Sequence, residues 1–153
     1  EAVEHMGNSV CSEEEINRIE ELVDALLGGH YQHAKAGELD EGTLTRDQIL
    51  VTAPYNVQVN RLQQRLNGKA RVGTVDKFQG QEAPVAIHSL TASSSDEAPR
   101  GLSFLLEPNR LNVAISRAQC LSIVVGSPSL ASGIANTVAE AEQINRLCRV
   151  ISR

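Results

Sequence analysis

At 153 residues and 41% apolar content, the chain is long enough for one domain with a single sizeable core. This length favours one domain over two. The formal net charge of −5 argues against a dedicated basic nucleic-acid module, although it leaves room for contact with a strand along one local groove. The three cysteines form no CxxC pair, so we expect neither a disulfide framework nor a zinc site. No apolar run approaches about 18 residues, so we expect neither a signal peptide nor a membrane span. We predict a cytoplasmic domain cut from a longer chain.

The first half of the chain predicts a helix, a connection and then alternating strands and helices. Ser12 stands three residues before Glu15, which is the capping-box spacing, and the amphipathic pattern that follows ends at Gly28, so a helix is predicted over 12–28. Residues 30–47 are polar and glycine-bearing and predict a long exposed connection. After it, the pattern predicts a buried strand at 49–54, a helix at 55–68 and strands around 72–75 and 85–90.

The second half continues the alternation. A serine-rich loop at 91–101 precedes a predicted helix that contains Arg110 and Arg117, a continuous apolar strand at 120–126 and a final helix at about 137–150. Strands separated by helices, with apolar runs too continuous for one-sided exposure, predict a three-layer α/β sandwich around a mainly parallel sheet. In such sheets, function collects at the carboxyl ends of the strands.

Three polar clusters are predicted at those strand ends. They are "APYNVQ" (53–58), "DKFQGQE" (76–82) and the helix with two arginines seven positions apart. Arginine at such a place is either a solvated surface charge or a group that binds carboxylate or phosphate. The chain has no phosphate-binding loop of its own, because "QRLNGKA" lacks the first glycine of that motif and has Ala70 at the position of the magnesium-binding hydroxyl.

Three segments together resemble a known family. "ILVTAPYNVQV", "VGTVDKFQGQEAPVAIHSL" and "NRLNVAISRAQCLSIVVGSP" resemble, in order and spacing over 49–128, motifs IV, V and VI of superfamily 1 helicases, of the group that includes the nonsense-mediated-decay helicase and its DNA-processing relatives. The segment "EHMGNSVCSEEEINRIEELVDALL" resembles the strand and helix that begin their second RecA-like domain. "RVGTVDKFQGQEAPV" and "SSSDEAPRGLSFL" resemble most closely bacterial proteins that fuse a RecB-like nuclease to such a helicase.

The resemblance implies half of an ATP site. In this family ATP with Mg²⁺ lies between two RecA-like domains; the first supplies the phosphate loop and the magnesium ligands, so a chain with only the second domain is expected to be inactive alone. By its place in "ISRA", Arg117 resembles the arginine finger that the second domain supplies, and Arg110 resembles a supporting residue. Glu82 matches the acid that reaches the ribose or γ-phosphate region, Gly80 permits a tight turn, and Gln79 matches the glutamine that couples nucleotide to strand.

The same resemblance implies a groove for single-stranded nucleic acid, with DNA favoured over RNA. Thr74 and Asp76 would hydrogen-bond the sugar-phosphate or fix their own loop, and motif IV would line the groove with Thr52, Tyr55, Asn56 and Gln58. The implied partners are this strand, the first RecA-like domain and, in a fusion protein, the RecB-like nuclease, in the cytoplasm of a bacterium. Three alternatives stay open: a non-catalytic nucleic-acid or partner-binding module with the same fold, a signal-type nucleotide-binding α/β domain that binds ATP unaided, and turn networks or solvated arginines without a ligand.

Overall fold

The computed structural model describes residues 1–35, 37–133, 135 and 137–151. Helices and strands alternate along most of the chain, as the sequence predicts. In chain order they are α1 (Glu13–Leu26), β1 (His30–Lys35), β2 (Glu38–Thr43), β3 (Ile49–Thr52), α2 (Asn56–Leu66), β4 (Arg71–Gly73), β5 (Ala83–Ser89), α3 (Leu102–Leu105), α4 (Pro108–Ser116), β6 (Ala118–Val125) and α5 (Val138–Ile151). Short 3₁₀ helices cover Arg46–Gln48, Asp76–Phe78 and Pro128–Leu130.

A four-stranded parallel sheet in the order β4-β3-β5-β6 organises the domain. Alternate residues of β3 point to opposite faces, as strand geometry requires. Ile49 and Val51 pack with buried residues of α1 and α2, whereas Leu50 packs with Phe78 and Ala86 on the other face. Residues of α3 and α5 pack beside the end of β5 in a further cluster. Helices therefore flank the sheet, and the predicted α/β fold with a mainly parallel sheet is confirmed.

Helix α1 begins as its sequence predicts. The hydroxyl of Ser12 accepts a hydrogen bond from the backbone amide of Glu15 at 3.2 Å, which satisfies one of the free amides at the start of a helix. Ile16, Ile19 and Val23 lie on one face and are almost fully buried. Burying such side chains stabilises the fold by roughly 1.5–3 kcal/mol each, so packing holds this helix in place.

The predicted connection at 30–47 is wrong for most of its length. Strands β1 and β2 pair as an antiparallel hairpin, with His30 opposite Thr43. Both faces carry polar residues, so the hydrophobic alternation that marks a half-buried strand is missing, and backbone hydrogen bonds supply the pairing instead. Tyr31 still packs partly against the core, and Gly42 leaves room for its ring, because a β-carbon there would lie 3.1 Å from it.

Three further predictions need correction. The predicted helix around Arg117 ends at Ser116, and β6 begins at Ala118, because Ala118 pairs with the first residue of β5. Helix α3 falls in the segment that precedes the predicted arginine helix and was not predicted. The strand that the resemblance implies before α1 is absent from residues 1–12, which the structure describes throughout; Ala2 forms only an isolated bridge with Gly126. No helix in the described ranges has the length and apolar character needed to cross a membrane.

Candidate functional site

The parallel sheet has two edges with different polar residues. We call the edge where its strands end, at Thr52, Gly73, Ser89 and Val125, the carboxyl edge, and the edge where they begin the amino edge. The connection from β4 to β5 leaves the carboxyl edge and returns to the amino edge, since both strands point the same way. It therefore separates Thr74 and Asp76 from Glu82. The prediction that all three polar clusters lie at the carboxyl ends of the strands is therefore wrong for Glu82, the last residue of the second cluster.

Helix α4 separates the two arginines in the same manner. Arg110 lies near its start and lines a pocket at the carboxyl edge. Arg117 follows its last residue and lies at the amino edge, where its carbonyl oxygen accepts a hydrogen bond from the amide of Ala83 at 3.0 Å. Because β6 begins directly after Arg117, this residue lies at the amino edge and Arg110 lies at the carboxyl edge. The two arginines therefore do not share one site.

The side chain of Arg117 is held by uncharged groups. Its Nε donates to the carbonyl of Val113 at 3.1 Å, and its Nη2 donates to the hydroxyl of Ser116 at 3.4 Å. Among the residues that the structure describes, no carboxylate lies within ion-pair distance of this guanidinium. The guanidinium group is partly buried and oriented, and no neighbouring carboxylate neutralises its positive charge. An arginine in this state can bind an anion.

The other residues predicted for the nucleotide lie in the connection that leads to β5. Gln79 and Gly80 are exposed, and Gly80 has a φ of +79°, a left-handed conformation that glycine adopts without steric cost. Glu82 is exposed at the amino edge and accepts a hydrogen bond from the side-chain amide of Gln119 at 3.2 Å. Gln119 and Arg117 stand two positions apart at the start of β6, so Glu82 and Arg117 lie at the same edge.

A pocket of about 280 Å³ opens at the carboxyl edge, and we call it the carboxyl pocket. Four of the predicted site residues line it: Asn56, Thr74, Asp76 and Arg110. Its wall is completed by residues at or just after the ends of β3, β4 and β5 and from the segment around α3: Ala53, Pro54, Val75, His88, Arg100, Phe104 and Leu105. The structure thus brings together the first residue of α2, the end of β4 and the start of α4.

Arg110 makes two ion pairs beside this pocket. Its Nη2 lies 3.5 Å from Oδ2 of Asp76, and its Nε lies 3.1 Å from Oε2 of Glu107. Its guanidinium carbon lies 4.7 Å from the centre of the Phe104 ring, which is close enough for a cation–π contact. Arg110 therefore links α4 to Asp76 of the motif V segment, and its supporting role stays a prediction.

Thr52 lies at the carboxyl edge but is buried. Its hydroxyl contacts Nδ1 of His88 at 2.8 Å. Burial lowers the pKa of His88 to about 4, because the charged ring would lose its hydration. The His88 ring in the wall of the carboxyl pocket is therefore neutral near pH 7 and adds no charge to it.

Two more of the predicted strand contacts are buried. Gln58 has no exposed surface; it accepts from the amide of Ser12 at 2.9 Å and donates to Oγ of Ser89 at 3.0 Å. Tyr55 packs 5.7 Å from Phe104, ring centre to ring centre, and its hydroxyl has no hydrogen-bond partner within the described part of the chain. In this conformation Gln58 and Tyr55 hold α2 to the domain and offer no surface to a strand, because motif IV turns them inward.

Sequence reasoning missed a buried polar network and two residues of the carboxyl pocket. The network centres on Glu15, for which the sequence predicts only a place in the first turn of α1; its carboxylate contacts His5, Ser89 and Thr91. Arg100 belongs to the predicted loop at 91–101, and Phe104 belongs to α3, which was not predicted. An arginine and a phenylalanine four positions apart, the spacing of neighbours on a helix, were the available signal.

The described residues include no group of three or more His, Cys, Asp or Glu side chains arranged to hold a metal ion. Glu82 and Asp76 lie at different edges of the sheet, so they do not share a site.

Comparisons with known proteins agree with this architecture. A family model described as an AAA domain matches residues 1–129. The chain is 30% identical over 132 residues to "Regulator of nonsense transcripts 1 homolog" of Arabidopsis thaliana, which covers 86% of the chain and 10% of that protein. It is 36% identical over 100 residues to "Probable RNA helicase armi" of Drosophila melanogaster, covering 60% of the chain and 8% of the relative.

A further relative is "DNA polymerase alpha-associated DNA helicase A" of Schizosaccharomyces pombe, 40% identical over 94 residues, with 60% of the chain and 14% of that protein covered. The fold and the matched residues define an AAA-type domain with a parallel sheet. The chain belongs to the AAA domain family, and its relatives assign it to the superfamily 1 helicase type. It spans between 8% and 14% of the length of these three relatives.

Proposed function

We propose that this chain is the second motor domain of an ATP-dependent superfamily 1 helicase, which supplies an arginine finger and part of the groove for a single strand. The division of polar residues between the two edges of the sheet carries the proposal. Arg117 and Glu82 share the amino edge, and Asn56, Thr74 and Arg110 share the pocket at the carboxyl edge. A motor needs separate surfaces for nucleotide and strand, and the separation of these residues supports such an assignment.

At the amino edge, Arg117 is the residue for the transition state of ATP hydrolysis. When phosphoryl transfer spreads negative charge over the γ-phosphate, a guanidinium already oriented by Val113 and Ser116 stabilises that charge with little reorganisation. Glu82 accepts hydrogen bonds from the nucleotide, and Gly80 gives the turn that leads to it. Gln79, exposed in the same connection, couples this edge to the carboxyl edge.

The phosphate loop and the Mg²⁺ ligands come, in this proposal, from a first RecA-like domain. One observation supports that division: this sequence contains no phosphate loop. Mg²⁺ would neutralise phosphate charge when ATP is bound, while this chain contributes Arg117 from the other side of the nucleotide. The chain alone is therefore inactive as an ATP hydrolase.

At the carboxyl edge, the strand contacts are Asn56 and Thr74. Their neutral amide and hydroxyl groups suit the sugar-phosphate backbone, which positions a strand without reading its bases. Thr52, Tyr55 and Gln58 act from behind the surface, since all three are buried. DNA is the strand we favour, in the bacterial cytoplasm and beside a fused RecB-like nuclease, on the sequence resemblance alone; the relatives' names include both an RNA and a DNA helicase.

Strand-stimulated ATP hydrolysis by the full-length protein tests the motor function. Arg117→Ala is expected to lower kcat about 100-fold or more while nucleotide binding is kept, which corresponds to roughly 3 kcal/mol of transition-state stabilisation. Arg18→Ala is the matched control, because Arg18 pairs with Glu1 and Glu21 on the surface of α1. Equal rates for Arg117→Ala and wild type would contradict the proposal. Strand binding by a wild-type protein without ATP hydrolysis would favour the non-catalytic binding module.

A further inference from the structure

Arg100 and Phe104 form a stacked pair at the carboxyl pocket. The guanidinium carbon of Arg100 lies 4.0 Å from the centre of the Phe104 ring. Both residues line the pocket that also contains Asn56 and Thr74. Phe104 is in turn backed by the buried ring of Tyr55 at 5.7 Å, so the ring that supports Arg100 is itself held by the core.

The two arginines on Phe104 differ in their charge partners. Arg110 has the carboxylates of Asp76 and Glu107 within 3.5 Å. No carboxylate within the described ranges is at ion-pair distance from Arg100, and Arg100 is exposed. The carboxyl pocket therefore combines a neutralised guanidinium with one whose charge is not compensated, and the neutral ring of His88 does not change this balance.

Among the described residues, none accepts a hydrogen bond from the Arg100 guanidinium. A cation–π contact occupies the face of the cation, so its N–H groups stay available for the fork that matches a phosphate. Phe104 also restricts the side chain, so less conformational entropy is lost when an anion binds. The neutral donors of Asn56 and Thr74 lie in the same pocket.

We propose that Arg100, stacked on Phe104, binds one phosphodiester group of single-stranded nucleic acid at the carboxyl pocket. This inference rests on the proposed function and adds a strand-binding residue outside the helicase motifs. The carboxylate of Asp76 in the pocket wall favours a singly charged phosphodiester over the more highly charged phosphates of a nucleotide. The residues assigned to the nucleotide, Arg117 and Glu82, lie at the opposite edge of the sheet.

The salt dependence of strand binding by the full-length protein tests this contact. For single strands the slope of log K against log salt falls by about 0.7 for each phosphate contact that is lost. We expect the salt slope of Arg100→Gln to be smaller by that amount. We also expect this variant to bind a homopolymer such as oligo-dT about 3- to 10-fold more weakly than wild type at 0.1 M salt. Arg100→Lys should retain the slope but recover only part of the affinity, since lysine lacks the planar fork.

Arg18→Gln removes the same charge from the surface of α1 and should leave both slope and affinity at the wild-type values. Thermal unfolding of each variant shows whether the fold is kept, and ATP affinity is measured in parallel. If wild type binds the strand and Arg100→Gln keeps the full slope, this inference is overturned and the proposed function stands. A loss of ATP affinity in place of strand affinity would assign Arg100 to a nucleotide phosphate and overturn it as well. Wild type that binds no strand would overturn both.

Discussion

The carboxylate of Glu15 accepts the backbone amide of Thr91 with both of its oxygens, each at 3.0 Å. Thr91 is the second residue after β5. It has a φ of +73°, which is strained for a residue with a β-branched side chain. The same carboxylate contacts Nε2 of His5 at 2.9 Å and accepts from the hydroxyl of Ser89 at 2.6 Å. One buried acid therefore ties the amino-terminal segment and α1 to the turn at the carboxyl edge.

Glu15→Gln is expected to destabilise the protein by about 2–4 kcal/mol. The amide keeps the shape of the carboxylate but replaces an acceptor by an NH₂ group that faces donors, and buried unsatisfied groups are costly. Denaturant unfolding followed by circular dichroism measures the change. Glu21→Gln, on the exposed side of the same helix, should shift the midpoint far less. Equal shifts for the two variants would show that the network contributes no more than a surface ion pair.

Tyr55→Phe should change the free energy of unfolding by no more than about 1 kcal/mol. The Tyr55 hydroxyl is buried beside the backbone of Arg100 but makes no hydrogen bond of good geometry with a described residue, and burial raises its pKa because the phenolate would be poorly solvated. The ring remains against Phe104 in this variant, so packing is preserved. A clear loss of stability in thermal unfolding would mean that the hydroxyl makes a hydrogen bond in solution.

His88 should make stability fall as the pH falls below about 6.5. Its pKa is lowered to about 4 in the folded state, so between these values the unfolded chain binds more protons and becomes favoured. The stabilisation is complete above pH 6.5, and about 3 kcal/mol of it is lost on reaching pH 4.

Denaturant unfolding at several pH values measures this dependence. His88→Gln should flatten the profile between pH 6.5 and 4, whereas His30→Gln, at an exposed position, should keep the wild-type slope. An unchanged profile in His88→Gln would assign the pH dependence to other groups.

Asp76→Asn should leave stability within about 1 kcal/mol of wild type, because its pair with Arg110 is long and Asp76 is 71% exposed. Strand affinity should stay constant or rise, since in the proposed binding mode a negative charge is removed from the pocket that receives the phosphate. Unfolding and oligonucleotide titration measure the two effects. A tenfold weaker strand affinity would instead indicate that the Asp76 carboxylate bonds the sugar directly.

Patterns of apolar residues predicted most of the sheet and its flanking helices. Strands β3 and β5 are almost entirely buried, and α1 has both a cap and an amphipathic face, so local sequence and tertiary packing agree. The hairpin of β1 and β2 escaped prediction because its strands bury little surface on either face. Its pairing depends on backbone hydrogen bonds, which side-chain periodicity does not report.

The positions of the candidate residues could not be predicted from the sequence. Motif resemblance names Arg117, Glu82 and Thr74 as site residues, which stays a prediction, and the edge at which each lies follows from the direction of the strands. Whether Gln58 faces solvent or the core is decided by Ser12 and Ser89, which are distant in sequence. The sequence does not show that Arg100 lies over Phe104 in the carboxyl pocket, because that contact exists only in the folded domain.

Helix α4 gives the two edges a mechanical connection. Arg110 and Arg117 stand seven residues apart, and a helix rises about 1.5 Å per residue, so roughly 10 Å of rigid backbone joins them. In the proposed motor, a shift of α4 that follows contact between the nucleotide and Arg117 would also move Arg110 in the wall of the carboxyl pocket, because Arg110 lies in this helix and Arg117 directly follows its last residue. Nucleotide binding and strand binding are then coupled through one rigid element.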